Sequence, residues 1–204
     1  MLWFSCLLVA YLFFLLFLLI GYRYGVAKRK KDRKKDISIE LNDVTVVIPF
    51  RNEKENLNVL INQIKRLKIR PLQFLFVDDH STDDGAALIE ANMDNAVALL
   101  SMKEKTGKKE AVYKGVTKAK TSYILCWDAD ISFTIDYFKE LSTKPKKDLV
   151  ILPVHHMSLG IYDWFFEVDV ILANYINHSS YGVNRPVICS GANLLFKKAS
   201  YLEV

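Results

Sequence analysis

Cysteine, proline and glycine are all scarce, with 3 Cys, 5 Pro and 8 Gly among 204 residues. The cysteines, Cys6, Cys126 and Cys189, have no paired spacing, which excludes a disulfide framework, a zinc knuckle or a C-x-x-C redox motif and fits a reducing compartment. With 25% charged and 51% hydrophobic residues, the chain is neither collagen-like, mucin-like nor wholly disordered. The nucleotide-phosphate pattern G-x-x-x-x-G-K-[ST] is absent, and no G-x-G-x-x-G follows the first strand-like run. ATPase and dehydrogenase readings lose their support accordingly. There is one long apolar run, which excludes a multi-span transporter, and no internal repeat. The length suits a single globular domain of ordinary size plus one membrane segment.

The apolar run covers residues 2–20, carries no charge and has Ser5 as its one strongly polar side chain. At about 1.5 Å per residue, a helix of this length spans the roughly 30 Å hydrocarbon layer of a bilayer. A cleaved signal would place basic residues before the run and small residues after it. Here a polybasic run follows instead, so residues 1–22 are expected to remain as a transmembrane anchor. The net charge of +5 is concentrated there, because eight basic residues and one acid lie between positions 23 and 35. The rest of the chain has 20 basic and 22 acidic residues, a net of −2, so the charge gives no support for a nucleic-acid partner. Basic residues on the C-terminal side of the anchor orient that side toward the cytoplasm, in a single-pass cell-membrane arrangement. They can also lie on anionic headgroups at about 1 kcal/mol each, although orientation alone accounts for them. Residues 23–42 are expected to form a polybasic linker.

Residues 43–204 alternate strand-like and helix-like stretches. Val44–Phe50 (VTVVIPF) reads as a buried parallel strand, followed by a helix over 53–68 with Leu57, Leu60, Ile61, Ile64 and Leu67 at helical spacing. Strands are expected at 72–77, 97–100, 122–127 and 149–152, and helices at 83–92, 108–119 and 135–141. This alternation predicts an α/β, Rossmann-like sheet of mostly parallel strands flanked by helices. Ligands of such sheets bind at the carboxyl ends of the strands. Three strand ends deliver Pro49, Phe50, Arg51, Asn52 and Glu53, then Asp78-Asp79-His80-Ser81-Thr82-Asp83, then Asp128-Ala129-Asp130, to one rim.

An Asp-x-Asp pair after a strand suits a hard divalent cation such as Mg²⁺ or Mn²⁺, which takes oxygen ligands and shares them with phosphates. Acidic pairs at strand ends also serve as helix caps or solvated turns, and the second acidic segment on the rim weighs against that use here. Residues 103–110 (KEKTGKKE) place lysines and a glycine before a helix, where both can face an anion. A solvated surface loop explains the same residues. His155, His156 and His178 have no ligand spacing and read as loop or core histidines. Residues 162–176, aromatic and helix-like, read as ordinary packing, with an acceptor groove or membrane contact as alternatives.

In order, TVVIPFRNEKENL (45–57), FLFVDDHSTD (74–83), TGKKEAVYKG (106–115), ILCWDADISF (124–133) and SGANLLFKK (190–198) resemble the family-2 glycosyltransferases of GT-A fold. The resemblance covers about residues 44–204 and implies transfer of a sugar from a nucleoside-diphosphate sugar, with a UDP-linked donor expected, to a hydroxyl acceptor. The transfer would invert the anomeric centre and depend on Mg²⁺ or Mn²⁺. By matching positions, Pro49, Glu53, Asp79, Lys108 and Asp128 would bind the donor, and Asp130 with Asp128 would hold the metal. Ser190, Gly191, Ala192 and Asn193 would lie beneath the donor sugar and acceptor. Arg51 stands where the family varies and receives no role. The family's acidic pair, which supplies the general base, follows the S-G-A-N segment; here Glu203 is the one acid after it, so the base is expected beyond Val204 and the chain resembles a C-terminally truncated enzyme. Lipid-linked intermediates or cell-envelope polysaccharides fit as acceptors. Two rivals remain open: a non-catalytic, membrane-tethered nucleotide-sugar binder, and a haloacid-dehalogenase-like phosphatase using Asp128-Ala129-Asp130-Ile131-Ser132.

Overall fold

The β-branched run Val44–Phe50 forms β1, buried at every position, as a strand covered on both faces should be. The computed structural model describes residues 2–32, 37–104, 106–154, 160–182 and 191–203. Beside β1 lie β2 (Gln73–Asp78), β3 (Val97–Ser101), β4 (Tyr123–Trp127), β5 (Leu149–Ile151) and β6 (Asn193–Lys197). The helices are α1 (Leu2–Asp32), α2 (Lys54–Lys65), α3 (Gly85–Glu90), α4 (Lys108–Lys118), α5 (Tyr137–Leu141), α6 (Ile161–Gly182) and α7 (Lys198–Leu202). The chain divides into two compact units, residues 37–152 with 190–204, and residues 1–36 with 153–189.

The first unit contains a six-stranded sheet of order β3-β2-β1-β4-β6-β5. Strands β1 to β4 run parallel, and β6 is antiparallel to both of its neighbours. The expected mostly parallel sheet is therefore present, with β6 as its one reversed strand. Alternation along β1 splits the core. Val44, Val46, Ile48 and Phe50 face α2, α3 and α5, whereas Val47 joins Ala111 and Val116 of α4 on the other face. Helix α2 buries Leu57, Leu60, Ile61 and Ile64, a stripe at i, i+3, i+4 and i+7. Helix α4 approaches β1 so closely at Gly115 that a Cβ there would lie 2.5 Å from Val47 Cγ1.

Several boundaries differ from the sequence reading, α2 ending at Lys65 and α5 starting at Tyr137 among them, and two have local reasons. Helix α3 begins at Gly85 because the Asp83 carboxylate is spent on backbone amides, Gly85 N at 3.0 Å and Lys54 N at 2.9 Å. The expected linker over 23–42 is also structured at both ends. Helix α1 runs to Asp32, since Lys and Arg are good helix formers. Near the sheet, Ser38 bridges Pro145 and Ile39 is buried, its N–H donating to Lys144 O at 2.9 Å.

The second unit packs α6 along α1, with the Tyr22 and Tyr175 rings 4.6 Å apart. Within α1, Ser5–Lys28 is long and apolar enough to cross a membrane. On α6, Val168, Ile171 and Leu172 are exposed. His155, His156, Cys189 and Ser190 lie outside the described residues, as does the side chain of His178.

Candidate functional site

Parallel pairing sets the rim. Phe50 is level with Asp78 across β1 and β2, and Val47 with Cys126 across β1 and β4, so the chain leaves all three strands at one end of the sheet. There a cleft of about 360 Å³ is lined by Pro49, Phe50, Arg51, Glu53, Asp79, Lys108, Asp128, Ala129 and Asp130. Every residue expected at the donor or the metal lies in this set. Phe50, Arg51 and Ala129, which the sequence reading put on the rim without a role, line the cleft as well.

The loops carrying these residues are tied to one another. Asn52 and His80 both adopt left-handed backbone conformations, with φ of 57° and 60°, which non-glycine residues adopt uncommonly. The local reason is a clasp: Asn52 Oδ1 accepts from Thr82 N at 2.7 Å, and Asn52 N donates to Ser81 Oγ at 3.0 Å. Beside it the Lys54 ammonium pairs with Asp84 at 2.7 Å, which raises the Lys54 pKa and lowers that of Asp84 through their hydrogen bond.

Asp79 is buried and uses both carboxylate oxygens. Oδ1 lies 3.1 Å from His80 Nδ1, and Oδ2 accepts from Gly107 N at 2.7 Å. Gly107, with φ of 110°, ends the 103–107 segment in a conformation suited to glycine and hands the chain to α4. The next residue, Lys108, places its ammonium 2.6 Å from Asp128 Oδ1, an oxygen shut off from solvent. Asp130, two residues on, is exposed. The neighbouring Cys126 thiol is pushed up to about 12 by burial and then by the Asp128 charge, so it stays protonated at neutral pH.

The residues fit a hard divalent cation. Asp128 and Asp130 supply anionic oxygen donors, and Asp128 already draws a cation, the Lys108 ammonium. Among the described residues no group of three or more His, Cys, Asp and Glu side chains converges. An ion here would complete its shell with phosphate oxygens and water.

Of the S-G-A-N segment, Gly191 is exposed, Ala192 half-buried and Asn193 buried. None of these three is among the cleft's lining residues. The Asn193 side-chain oxygen accepts from Trp127 Nε1 at 3.1 Å and from Tyr137 Oη at 2.6 Å. Trp127 and Tyr137 had no place in the sequence reading of the site.

With the geometry in place, the chain can be compared with known proteins. The model of glycosyl transferase family 2 matches residues 45–201. The chain belongs to that family of sugar-transferring enzymes, which decides against the dehalogenase-like reading of Asp128 to Ser132. A poly-beta-1,6-N-acetyl-D-glucosamine synthase of Staphylococcus aureus (strain COL) is 29% identical over 101 residues, 48% of this chain and 24% of that protein. A 4,4'-diaponeurosporenoate glycosyltransferase of Staphylococcus aureus (strain bovine RF122 / ET3-1) is 25% identical over 145 residues, 68% of this chain and 38% of that protein. The chain thus spans well under half the length of these relatives. Among solved structures, a mannosyltransferase from Pyrobaculum calidifontis in complex with GDP-Man and Mn²⁺ superposes with a TM-score of 0.57 at 18% identity, covering 90% of this chain and 55% of that one. Glucosyl-3-phosphoglycerate synthase from Mycobacterium tuberculosis, in complex with Mn²⁺, UDP-glucose and phosphoglyceric acid, gives 0.53 at 17% identity over 78% of this chain and 57% of that one. These two likenesses establish the fold, an α/β sheet of the GT-A kind.

Proposed function

We propose that the cleft binds a nucleoside-diphosphate sugar, UDP-linked, for transfer to a hydroxyl acceptor with inversion, in a glycosyltransferase held at the membrane by α1. The observation that carries this reading is the presence of Asp79, Lys108, Asp128 and Asp130 in one cleft at the carboxyl ends of β1, β2 and β4. Asp79 accepts hydrogen bonds from the uracil imide or a ribose hydroxyl. Pro49 and Glu53 complete the nucleoside side of the cleft. Lys108 moves from Asp128 to the diphosphate, where its single charge offsets part of the phosphates' charge at close range. Asp128 and Asp130 hold Mg²⁺ or Mn²⁺, which when bound stabilises the negative charge growing on the departing diphosphate. The acceptor is a saccharide or lipid-linked hydroxyl near the bilayer. The basic residues from Arg23 onward support a cytoplasmic position for the cleft.

The test is calorimetry of UDP with and without Mn²⁺. Wild-type binding should strengthen with Mn²⁺, Asp130→Ala should remove that gain, and Asp79→Ala should weaken UDP in both conditions. Unchanged affinity in both variants would overturn the assignment.

A further inference from the structure

Asp128 and Asp130 sit on a segment, residues 128–136, that contains neither helix nor strand. Such a stretch retains conformational freedom unless its ends are held, and fixing each of its residues costs entropy. Here both ends are held by one atom. Trp127, the last residue of β4, and Tyr137, the first of α5, bracket the segment, and both donate to the side-chain oxygen of Asn193. Asn193 is itself the first residue of β6 and is level with Trp127 in the antiparallel ladder. Phe133, from the middle of the segment, stacks on the Trp127 indole with ring centroids 4.8 Å apart. Asn193 and Trp127 are buried, so an unmade hydrogen bond there would be expensive.

We propose that Asn193 is a positioning residue for the two aspartates: through Trp127 and Tyr137 it fixes the segment that presents Asp128 and Asp130 to a divalent cation and the donor diphosphate. The inference rests on the proposed reading of the cleft. It differs from a direct contact with donor sugar or acceptor, because the Asn193 oxygen is turned to the indole and the phenol. An asparagine suits the task, since one amide oxygen accepts two bonds without placing a charge against the aromatic cluster.

The experiment is calorimetry of UDP with and without Mn²⁺ on the full chain in detergent, together with its thermal midpoint. Asn193→Ala should lower the Mn²⁺-dependent gain in UDP affinity about tenfold, the scale seen when groups orienting metal ligands are removed. Metal-free UDP binding, which on the proposed reading rests on Pro49, Glu53, Asp79 and Lys108, should not change. Tyr137→Phe, which removes one of the two donors to that oxygen, should give a smaller loss of the same kind. A lower midpoint in Asn193→Ala with the full Mn²⁺ dependence would overturn the proposal by making the residue merely structural. If Asn193→Ala does not fold, Tyr137→Phe decides: an unchanged Mn²⁺ dependence overturns the proposal. Asp130→Ala run in parallel separates the two levels. If it leaves the Mn²⁺ dependence intact, the reading of the cleft fails and the proposal with it; if it abolishes the dependence while Asn193→Ala does not reduce it, the positioning role alone fails.

Discussion

Lys108 Nζ lies 2.6 Å from Asp128 Oδ1, joining the start of α4 to the end of β4 across the cleft. The pair places a mobile cation on a carboxylate that a metal would also seek. On the proposed reading of the cleft, lysine and metal would compete for Asp128 until a diphosphate took the lysine. The lysine side chain is 60% exposed and the aspartate 27%, with the contacted oxygen itself shut off from solvent, so screening acts on the lysine side of the pair alone.

Lys108→Met should consequently split two affinities that usually move together. Mn²⁺ alone should bind more tightly, because Asp128 is released. UDP in the presence of Mn²⁺ should bind roughly 3- to 10-fold more weakly, through loss of one charge-assisted contact. Titrations of the metal alone and of UDP with the metal read the two effects separately.

Gly115→Ala tests the seating of α4 on the sheet. Helix propensity alone would make alanine better by about 1 kcal/mol. The added methyl would meet Val47 Cγ1 at 2.5 Å and Val77 Cγ2 at 3.1 Å, and overpacking of that kind costs about 1–3 kcal/mol. The overlap should win, and urea unfolding should show a less stable protein.

Gly107→Ala isolates the opposite case. Nothing lies within 4 Å of the Cβ position, and the strain comes wholly from φ of 110°. The expected cost is about 1–3 kcal/mol. Because Gly107 N donates to Asp79 Oδ2, relaxation of the strain should also disturb UDP binding, measured by calorimetry without metal.

Alkaline pH should destabilise the fold through Tyr137. Burial pushes its hydroxyl from 10.0 up to about 12, so the folded state keeps a proton that the unfolded state has released. Stability is then complete below the unfolded value and falls as pH rises from about 10 to about 12, by up to roughly 1.4 kcal/mol per unit. Cys126 acts in the same direction from about 9. Urea unfolding at pH 7.5 and 10.5 should show the loss, and Tyr137→Phe should reduce its slope above pH 10.

The central strands and the acids at their ends were legible because each reports a local property. VTVVIPF is apolar on both faces, and an acid directly after a strand can only emerge at its carboxyl end. What stayed hidden depends on partners distant in sequence. NLLFK does not announce that it will run antiparallel between β4 and β5, and nothing near Asn193 says that Trp127 and Tyr137 will share its oxygen. Ile39 is an intermediate case. Its charged neighbours argued for solvent, and the bridge between Ser38 and Pro145 draws it into the core instead.

Strand β6 also sets an order in time. Trp127 and Asn193 are separated by 66 positions, so during translation β4 leaves the ribosome well before the strand that completes it. Until then the nascent sheet has an unpaired edge, and the indole and phenol have no shared acceptor. Non-local pairing of this kind forms late in folding. The loop bearing the two aspartates is therefore expected to set only once β6 has paired with β4.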